Sequence, residues 1–257
     1  MMKLKLEGPK GGVMIVTGGG RGIGAAVAAG AAALSHPVLV NYVGDQESAD
    51  ALVRRIERRG GRALAVRADV GSEDGVIRLF EAADAIGAPL AGLVNNAGIS
   101  GGFARLDELQ GEALRRVLAV NVAGSFLCAR EAVRRMSTRH AGQGGTIVNI
   151  SSIAAKLGSP GEWIHYAASK GAIDTLTVGL AREVAAEGIR VNAVAPGLIA
   201  TDLHATAGAP DRLERLAPGI PMGRAGTTEE VAAAVLWLMS TAASYVTGAV
   251  VPVGGGR

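Results

Sequence analysis

Val13-Met-Ile-Val-Thr-Gly-Gly-Gly-Arg-Gly-Ile-Gly24 is the stretch that decides the fold, and the alanine-rich run Ala25–Ala33 follows it directly. Four apolar residues, two of them valine, read as a buried strand. The alanine run reads as a helix. Between them, Gly18, Gly22 and Gly24 keep a Gly-x-x-x-Gly-x-Gly spacing. A strand, a glycine turn and a helix N-terminus in that order form an anion cradle. The glycines admit a tight turn and a close approach of backbone to a pyrophosphate, and the first N–H groups of the helix have no partner within it. Gly18, Arg21, Gly22, Ile23 and Gly24 are therefore expected to bind a dinucleotide, with Gly24 also letting helix and strand pack closely.

Working outward, short apolar runs alternate with helical patterns along the whole chain. Val13–Val16, Val38–Val40, Ala63–Val66, Leu93–Val94, Thr146–Ile150, Arg190–Val194 and Ala249–Val251 read as strands. Helical patterns lie near 23–34, 48–59, 73–86, 111–137, 166–187 and 228–239. This alternation predicts an α/β fold, a Rossmann-like doubly wound parallel sheet of about seven strands with helices on both faces. No linker divides the chain, so a single domain over 1–257 is expected. One long irregular stretch, about 197–227, contains Gly208, Pro210, Pro218, Pro221 and Gly226. It follows a strand on the edge where such sheets bind ligands, and is expected to be the substrate loop.

The 257 residues are 49% hydrophobic but only 3% aromatic, so the core must be built from Ala, Val, Leu and Ile. The formal charge is +3 with acids spread among the bases, and no Lys/Arg block reads as a nucleic-acid surface. Cys128 is the only cysteine and lies in an apolar run, as a small core residue would. No Cys/His spacing suggests a metal site, and no apolar run is long enough to span a bilayer. The N-terminus lacks the pattern of a signal peptide, so a cytoplasmic protein is expected.

An acid at the end of the second strand would bond the ribose hydroxyls of NAD, whereas basic groups accommodate the 2′-phosphate of NADP. Here the strand ends Val40-Asn41-Tyr42, with no acid before Asp45, and Arg21 lies in the glycine turn. NADP(H) is the expected cofactor, NAD(H) the alternative, with Asn41 and Tyr42 beside it. Tyr166 and Lys170 stand four apart in Tyr-Ala-Ala-Ser-Lys, on one face of a helix. Free tyrosine has a pKa of about 10, and an ammonium beside it favours the phenolate. A phenol helped in this way exchanges a proton with an alcohol or a carbonyl. Asn121 interrupts the apolar run Val117–Ala123, where an unpaired amide costs about 1–3 kcal/mol, so it needs a partner.

Together these pieces resemble the short-chain dehydrogenase/reductase family over nearly the whole chain. The matching residues are Thr17-Gly-x3-Gly-x-Gly24, Asp69-Val70, Asn95-Asn-Ala-Gly98, Asn121, Asn149-Ile-Ser-Ser152, Tyr166-x3-Lys170 and Pro196-Gly197. The run Gly158-Ser-Pro-Gly-Glu-x3-Tyr166 is also similar to a bacterial subgroup of sugar and carbonyl oxidoreductases. The resemblance implies that Asp69 bonds the adenine amino group with Val70 beside the ring. It implies that Asn95, Ala97 and Gly98 line the cofactor, and that Pro196, Gly197, Ile199 and Thr201 approach the nicotinamide carboxamide. Asn121, Ser152, Tyr166 and Lys170 are the implied catalytic set: Tyr166 transfers the proton, Ser152 steadies the substrate oxygen, Lys170 lowers the phenol pKa and holds the ribose. The backbone carbonyl of Asn121 completes a water relay. Ser152 precedes Tyr166 by fourteen residues, one more than the family's commonest spacing, which leaves Ser151 as a second choice. The terminal Val253-Gly-Gly-Gly256 lacks the Asp that often precedes these glycines.

The expected activity is hydride transfer between nicotinamide and a secondary alcohol or ketone, sugar-like by the subgroup resemblance. The alternatives are a reductase of 3-oxoacyl thioesters on an acyl carrier protein, and a catalytically silent dinucleotide-binding sensor or scaffold. Gly102, Phe103, Trp163, His165, Leu203, His204 and Met222 are candidates for the substrate side. The helix from Tyr166 is small or apolar on more than its sheet-facing stripe, which predicts a subunit interface with the 111–137 helix. The family commonly forms tetramers.

Overall fold

In a computed structural model describing residues 6, 8, 11–202, 208, 209 and 211–257, seven parallel strands form one sheet in the order β3-β2-β1-β4-β5-β6-β7. The strands are β1 (Val13–Val16), β2 (Val38–Tyr42), β3 (Ala63–Arg67), β4 (Leu90–Asn95), β5 (Gly145–Ile150), β6 (Ile189–Pro196) and β7 (Val250–Val253). The chain leaves β1 toward one edge and returns through β4 toward the other. The strand order therefore reverses between β1 and β4, and ligands bind outside the carboxyl ends of strands at such a switch point. Sequence periodicity finds all seven strands but shortens β4 to Leu93–Val94. Gly92 breaks the apolar run there, yet its bare backbone fits beneath the Met14 and Met239 side chains.

Alternate strand residues supply two cores. Met14, Val16, Val38, Val40, Val148 and Val194 pack against α1 (Gly22–Ala33), α2 (Gln46–Arg58) and, through Val231, Val235 and Leu238, the helix Thr228–Leu238. Val13, Ile15, Leu39, Leu93, Ile147 and Val191 face α3 (Glu73–Asp84), α5 (Gly124–Met136) and α7 (Ile164–Val184). This two-step alternation fixes which end-of-strand side chains reach each face. Cys128 lies in the second core, wholly buried, with its thiol pushed up to about 12 by burial.

The helix expected over 111–137 is α4 (Gly111–Val117) and α5 joined by a π-helical turn, Leu118–Ala123, with Asn121 inside it. Such turns insert one extra residue and re-aim side chains, often at functional sites. A single helical turn, α6 (Ala154–Leu157), precedes α7. Two further helices, α8 (Arg212–Leu216) and α9 (Thr228–Leu238), follow β6. The two ends of the 197–227 stretch are tied together: Gly226 N donates to Leu198 O at 2.9 Å, and Ala200 N to Gly226 O at 2.9 Å. Leu203 and His204 lie outside the described residues. No helix among the described residues is long and apolar enough to cross a membrane.

Candidate active site

The turns after β1 and β4 are laced together. Thr17 Oγ1 accepts from the backbone N–H groups of Asn96 (2.9 Å) and Ala97 (3.0 Å), while Asn96 Nδ2 donates to Thr17 O (2.9 Å) and Gly18 O (3.0 Å). The end of β2 joins in, since Gly18 N donates to Asn41 Oδ1 at 3.1 Å and Asn41 Nδ2 to Ala68 O at 2.8 Å. Gly18 and Gly22 sit at φ +58° and +55°, where side chains are strained. A Cβ on Gly24 would lie 2.6 Å from both Asn96 Nδ2 and Gly18 O. Gly24 thus lies behind the turn as a packing residue and is not in the lining of the cleft described next. Side chains of Asp45, Ser72 and Thr227 cap α2, α3 and α9, but no side chain caps α1. Its first N–H groups are left for an anion.

These turns floor a cleft of about 440 Å³. Of the residues expected at the cofactor, Gly18, Arg21, Gly22, Ile23, Asn41, Tyr42, Asp69, Val70, Ala97, Gly98, Tyr166, Lys170, Pro196, Gly197, Ile199 and Thr201 line it. Asn95 does not. It follows Leu93 by two residues in β4, so it shares the face toward α5, where its Nδ2 donates to Ser125 O (3.2 Å) and to Asn149 Oδ1 (3.0 Å). Asn96 takes its place in the lining. The strand alternation read from Leu93 would have assigned the two asparagines correctly.

Arg116, Asp45, Ile99, Val120 and Asp202 also line the cleft and were not foreseen. Arg116 Nη2 lies 3.0 Å from Asp69 Oδ2, so the carboxylate expected to meet adenine carries a guanidinium beside it. No local sequence signal pairs residues on α4 and after β3. Asp45 caps α2 by accepting from Ser48 N at 3.0 Å. That bond, then the Ser48 hydroxyl, hold its carboxyl below the usual range, with Arg21 acting the same way.

At the inner end, Ser152, Tyr166 and Lys170 line the cleft together. Ser152 Oγ accepts from Ala154 N at 3.1 Å. Ser151, the second choice, donates instead to Asp174 Oδ1 at 2.5 Å and so points toward α7. Between Ser152 and Tyr166 the chain turns through Gly158, Ser159 and Gly161 at φ 73°, 46° and 71°. Lys170 Nζ donates to Ile150 O at 2.7 Å and lies 5.6 Å from the Tyr166 ring centroid. Burial pushes the Lys170 amino group down to about 8, with Asp174 opposing. Burial also raises the Tyr166 phenol, and the Ser152 side chain offsets part of that. The Lys170 ammonium is directed at a backbone carbonyl, and burial outweighs the Ser152 side chain at the phenol.

Asn121 does not reach the cleft surface. Its Oδ1 accepts from Ile99 N (2.9 Å), and its Nδ2 donates to Ile99 O (2.9 Å) and Ser169 Oγ (3.0 Å). The amide is fully used in tying the loop after β4 to α7. Its backbone carbonyl accepts from Ser125 Oγ at 2.9 Å, leaving a second lone pair.

A family model described as Enoyl-(Acyl carrier protein) reductase matches residues 18–257. The Escherichia coli (strain K12) protein "Uncharacterized oxidoreductase YgfF" is 51% identical over 245 residues, covering 95% of this chain and 99% of that protein. Glucose 1-dehydrogenase 2 of Bacillus subtilis (strain 168) is 40% identical over 242 residues, covering 94% and 93%. A solved structure, that of a mutant Serratia marcescens short-chain dehydrogenase/reductase, superposes with TM-score 0.85 at 35% identity, covering 96% of this chain and 97% of that one. The chain belongs to the short-chain dehydrogenase/reductase family. It is accordingly an NAD(P)-dependent oxidoreductase acting on CH–OH groups and their carbonyl counterparts.

In this short-chain dehydrogenase/reductase the glycine turn and the uncapped α1 N-terminus suit the pyrophosphate of a nicotinamide dinucleotide. The substrate-side candidates divide by burial. Trp163 and His165 are buried at the start of α7, and Trp163 meets Tyr166 edge-on at 5.9 Å between ring centroids. Phe103 is 4.8 Å from Trp163, and Gly102 precedes it. Met222 is exposed, held at its backbone by Met222 N donating to Gly255 O at 3.1 Å. Gly197 N donates to Val253 O at 2.9 Å, so the C-terminal run supports the Pro196-Gly197 turn without the family's usual Asp.

Proposed function

We propose that this enzyme prefers NADP(H) and interconverts a small secondary alcohol and its ketone, with a sugar-like substrate favoured. The observation that carries the reading is the gathering of Ser152, Tyr166 and Lys170 in the lining of the glycine-floored cleft. When bound, the nicotinamide supplies or accepts the hydride. In the reductive direction the Tyr166 hydroxyl gives its proton to the developing alkoxide. Ser152 Oγ donates to the same oxygen and stabilises the charge that forms there. Lys170 Nζ lies beside Tyr166 and supplies positive charge as the phenolate forms. Asn121 acts by holding Ile99 and Ser169, and its free carbonyl lone pair is the place for a relay water. Oxidation runs these transfers backward.

NADP(H) preference is supported by Arg21 in the lining and by the absence of an acidic side chain at Asn41 or Tyr42, while the nearby Asp45 is spent on its helix cap. The sugar-like substrate is supported by the name of the Bacillus subtilis relative. Reduction of acyl thioesters is the second reading, supported by the description of the matching family model. A homotetramer joined through the outer faces of α4, α5 and α7 is part of the proposal. It is supported by exposed Leu118 and Phe126, and by small residues at Ala168, Gly171 and Gly179 on α7.

The test is a turnover screen of D-glucose, cyclohexanone and acetoacetyl-CoA, each with the fitting redox form of NAD and NADP. Turnover of glucose or cyclohexanone with NADP preferred supports the proposal. A preference for NAD above about tenfold in kcat/KM, about 1.4 kcal/mol, overturns the cofactor assignment. Turnover confined to acetoacetyl-CoA replaces the first substrate reading by the second.

A further inference from the structure

Glu162 belongs to the Gly158-Ser-Pro-Gly-Glu162 run ahead of α7, and neither the cofactor cleft nor the proton chemistry uses it. Its partner is Arg212 at the start of α8, whose Nη1 lies 2.7 Å from Glu162 Oε1. The Arg212 side chain is only 7% exposed. Its guanidinium carbon lies 4.5 Å from the Trp163 ring centroid and 5.6 Å from that of Phe103. Neither its Nε nor its Nη1 makes a hydrogen bond among the described residues, so the contact of Nη1 with Glu162 is that of an ion pair. Ala104 N donates to Glu162 O at 3.0 Å, which brings the loop after β4 into the same cluster.

A buried cation is a poor way to gain stability, because an apolar side chain of the same volume fills the space at lower desolvation cost. Arginine does offer direction. Its planar group stacks on aromatic faces and points at one carboxylate, fixing rings that apolar packing would leave free to slide. The ring it fixes is Trp163, which also meets Tyr166 edge-on.

We propose that Arg212 and Glu162 form a positioning clamp for the substrate side of the site. The ion pair gathers the loop after β4, the approach to α7 and the start of α8 around Trp163. Through Trp163 it sets the wall beside the Tyr166 ring against which the carbonyl is placed. Neither residue is catalytic, since both act through Trp163. The clamp rests on the oxidoreductase reading above only for its effect on turnover.

The test uses the full chain in a Trp237→Phe background, which leaves Trp163 as the sole tryptophan. Arg212→Met, Arg212→Lys and Glu162→Gln are compared by acrylamide quenching of Trp163, by NADPH binding, and by kcat and KM on the best substrate of the three-compound screen. Quenching is expected to rise about twofold or more in all three, because lysine keeps the charge but not the stack. KM is expected to rise about fivefold or more with NADPH affinity within about twofold, the split of a group acting on substrate placement. Unchanged quenching overturns the clamp. Increased quenching with unchanged KM and kcat overturns its positioning role, as does a loss of NADPH affinity equal to the change in KM. If Arg212→Met does not fold, Glu162→Gln decides alone, because the amide keeps an acceptor oxygen for the guanidinium at a position that is 30% exposed. If the parent protein turns over none of the three compounds, the substrate reading above fails, while quenching still shows whether the pair holds Trp163.

Discussion

Replacing Lys170 by Met should stabilise the cofactor-free protein near neutral pH and lose that advantage in alkali. Burial lowers the Lys170 amino group from 10.5 to about 8. A drop of that size means that holding the charged form inside the fold costs about 3 kcal/mol. The sign follows from proton counting. Between pH 8 and 10.5 the unfolded lysine keeps its proton while the native one has released it. Stability of the natural protein therefore rises with pH across that window, and below pH 8 the full penalty is present. Methionine has a similar length and no charge, so it removes the penalty, but it leaves Ile150 O without the Lys170 donor at 2.7 Å. An unsatisfied buried carbonyl costs about 1–3 kcal/mol, which leaves a net gain of about 1 kcal/mol at pH 7. By pH 9.5 the natural protein should have recovered about 2 kcal/mol relative to the variant, reversing the order of stability. Urea unfolding of both proteins at pH 7.0, 8.0 and 9.5 measures the difference directly, because groups common to the two cancel. A variant less stable by a constant amount at every pH would show that Lys170 titrates as an ordinary lysine. The pairing of Nζ with the Ile150 carbonyl would then carry no desolvation penalty.

Three further outcomes are expected. Tyr166→Phe should lose about 10²–10⁴ in kcat with NADPH affinity nearly unchanged, measured by steady-state turnover and cofactor fluorescence; retention of more than about a tenth of the activity refutes the proton-transfer role. Arg21→Ala should reduce kcat/KM for NADPH by about tenfold or more, the worth of one charge-assisted hydrogen bond, and leave that for NADH unchanged; equal losses on both cofactors would mean that Arg21 does not read the 2′-phosphate. Gly179→Arg should fold at least as well as the parent, since a Cβ there meets nothing within 4 Å and glycine inside a helix costs about 1 kcal/mol. It should nevertheless convert the proposed tetramer to smaller species by light scattering, and an unchanged mass rules out α7 as an interface.

Much of the fold is legible in local pattern. A strand, a glycine turn and a helix are contiguous in residues 13–33, and their period changes from continuous apolar to helical within a few positions. Tyr166 and Lys170 are equally legible, because four residues along a helix bring two side chains to one face whatever surrounds them. The errors fall where one residue changes the face. Asn95 and Asn96 are the same residue type, and the alternation that runs from Leu93 along β4 sends the first toward α5 and the second to the cleft.

The sequence by itself determined the doubly wound sheet, the place of the cleft and the residue types at its inner end. Each of these depends on spacings of a few residues or on the order of elements. The tertiary structure alone decided that Ser151 turns to Asp174, that Lys170 donates to Ile150 O, that Arg116 stands beside Asp69, and that Glu162 pairs with Arg212. These are contacts between elements far apart in the chain. Their energies come from desolvation and facing charge, which exist only once the helices have closed over the sheet.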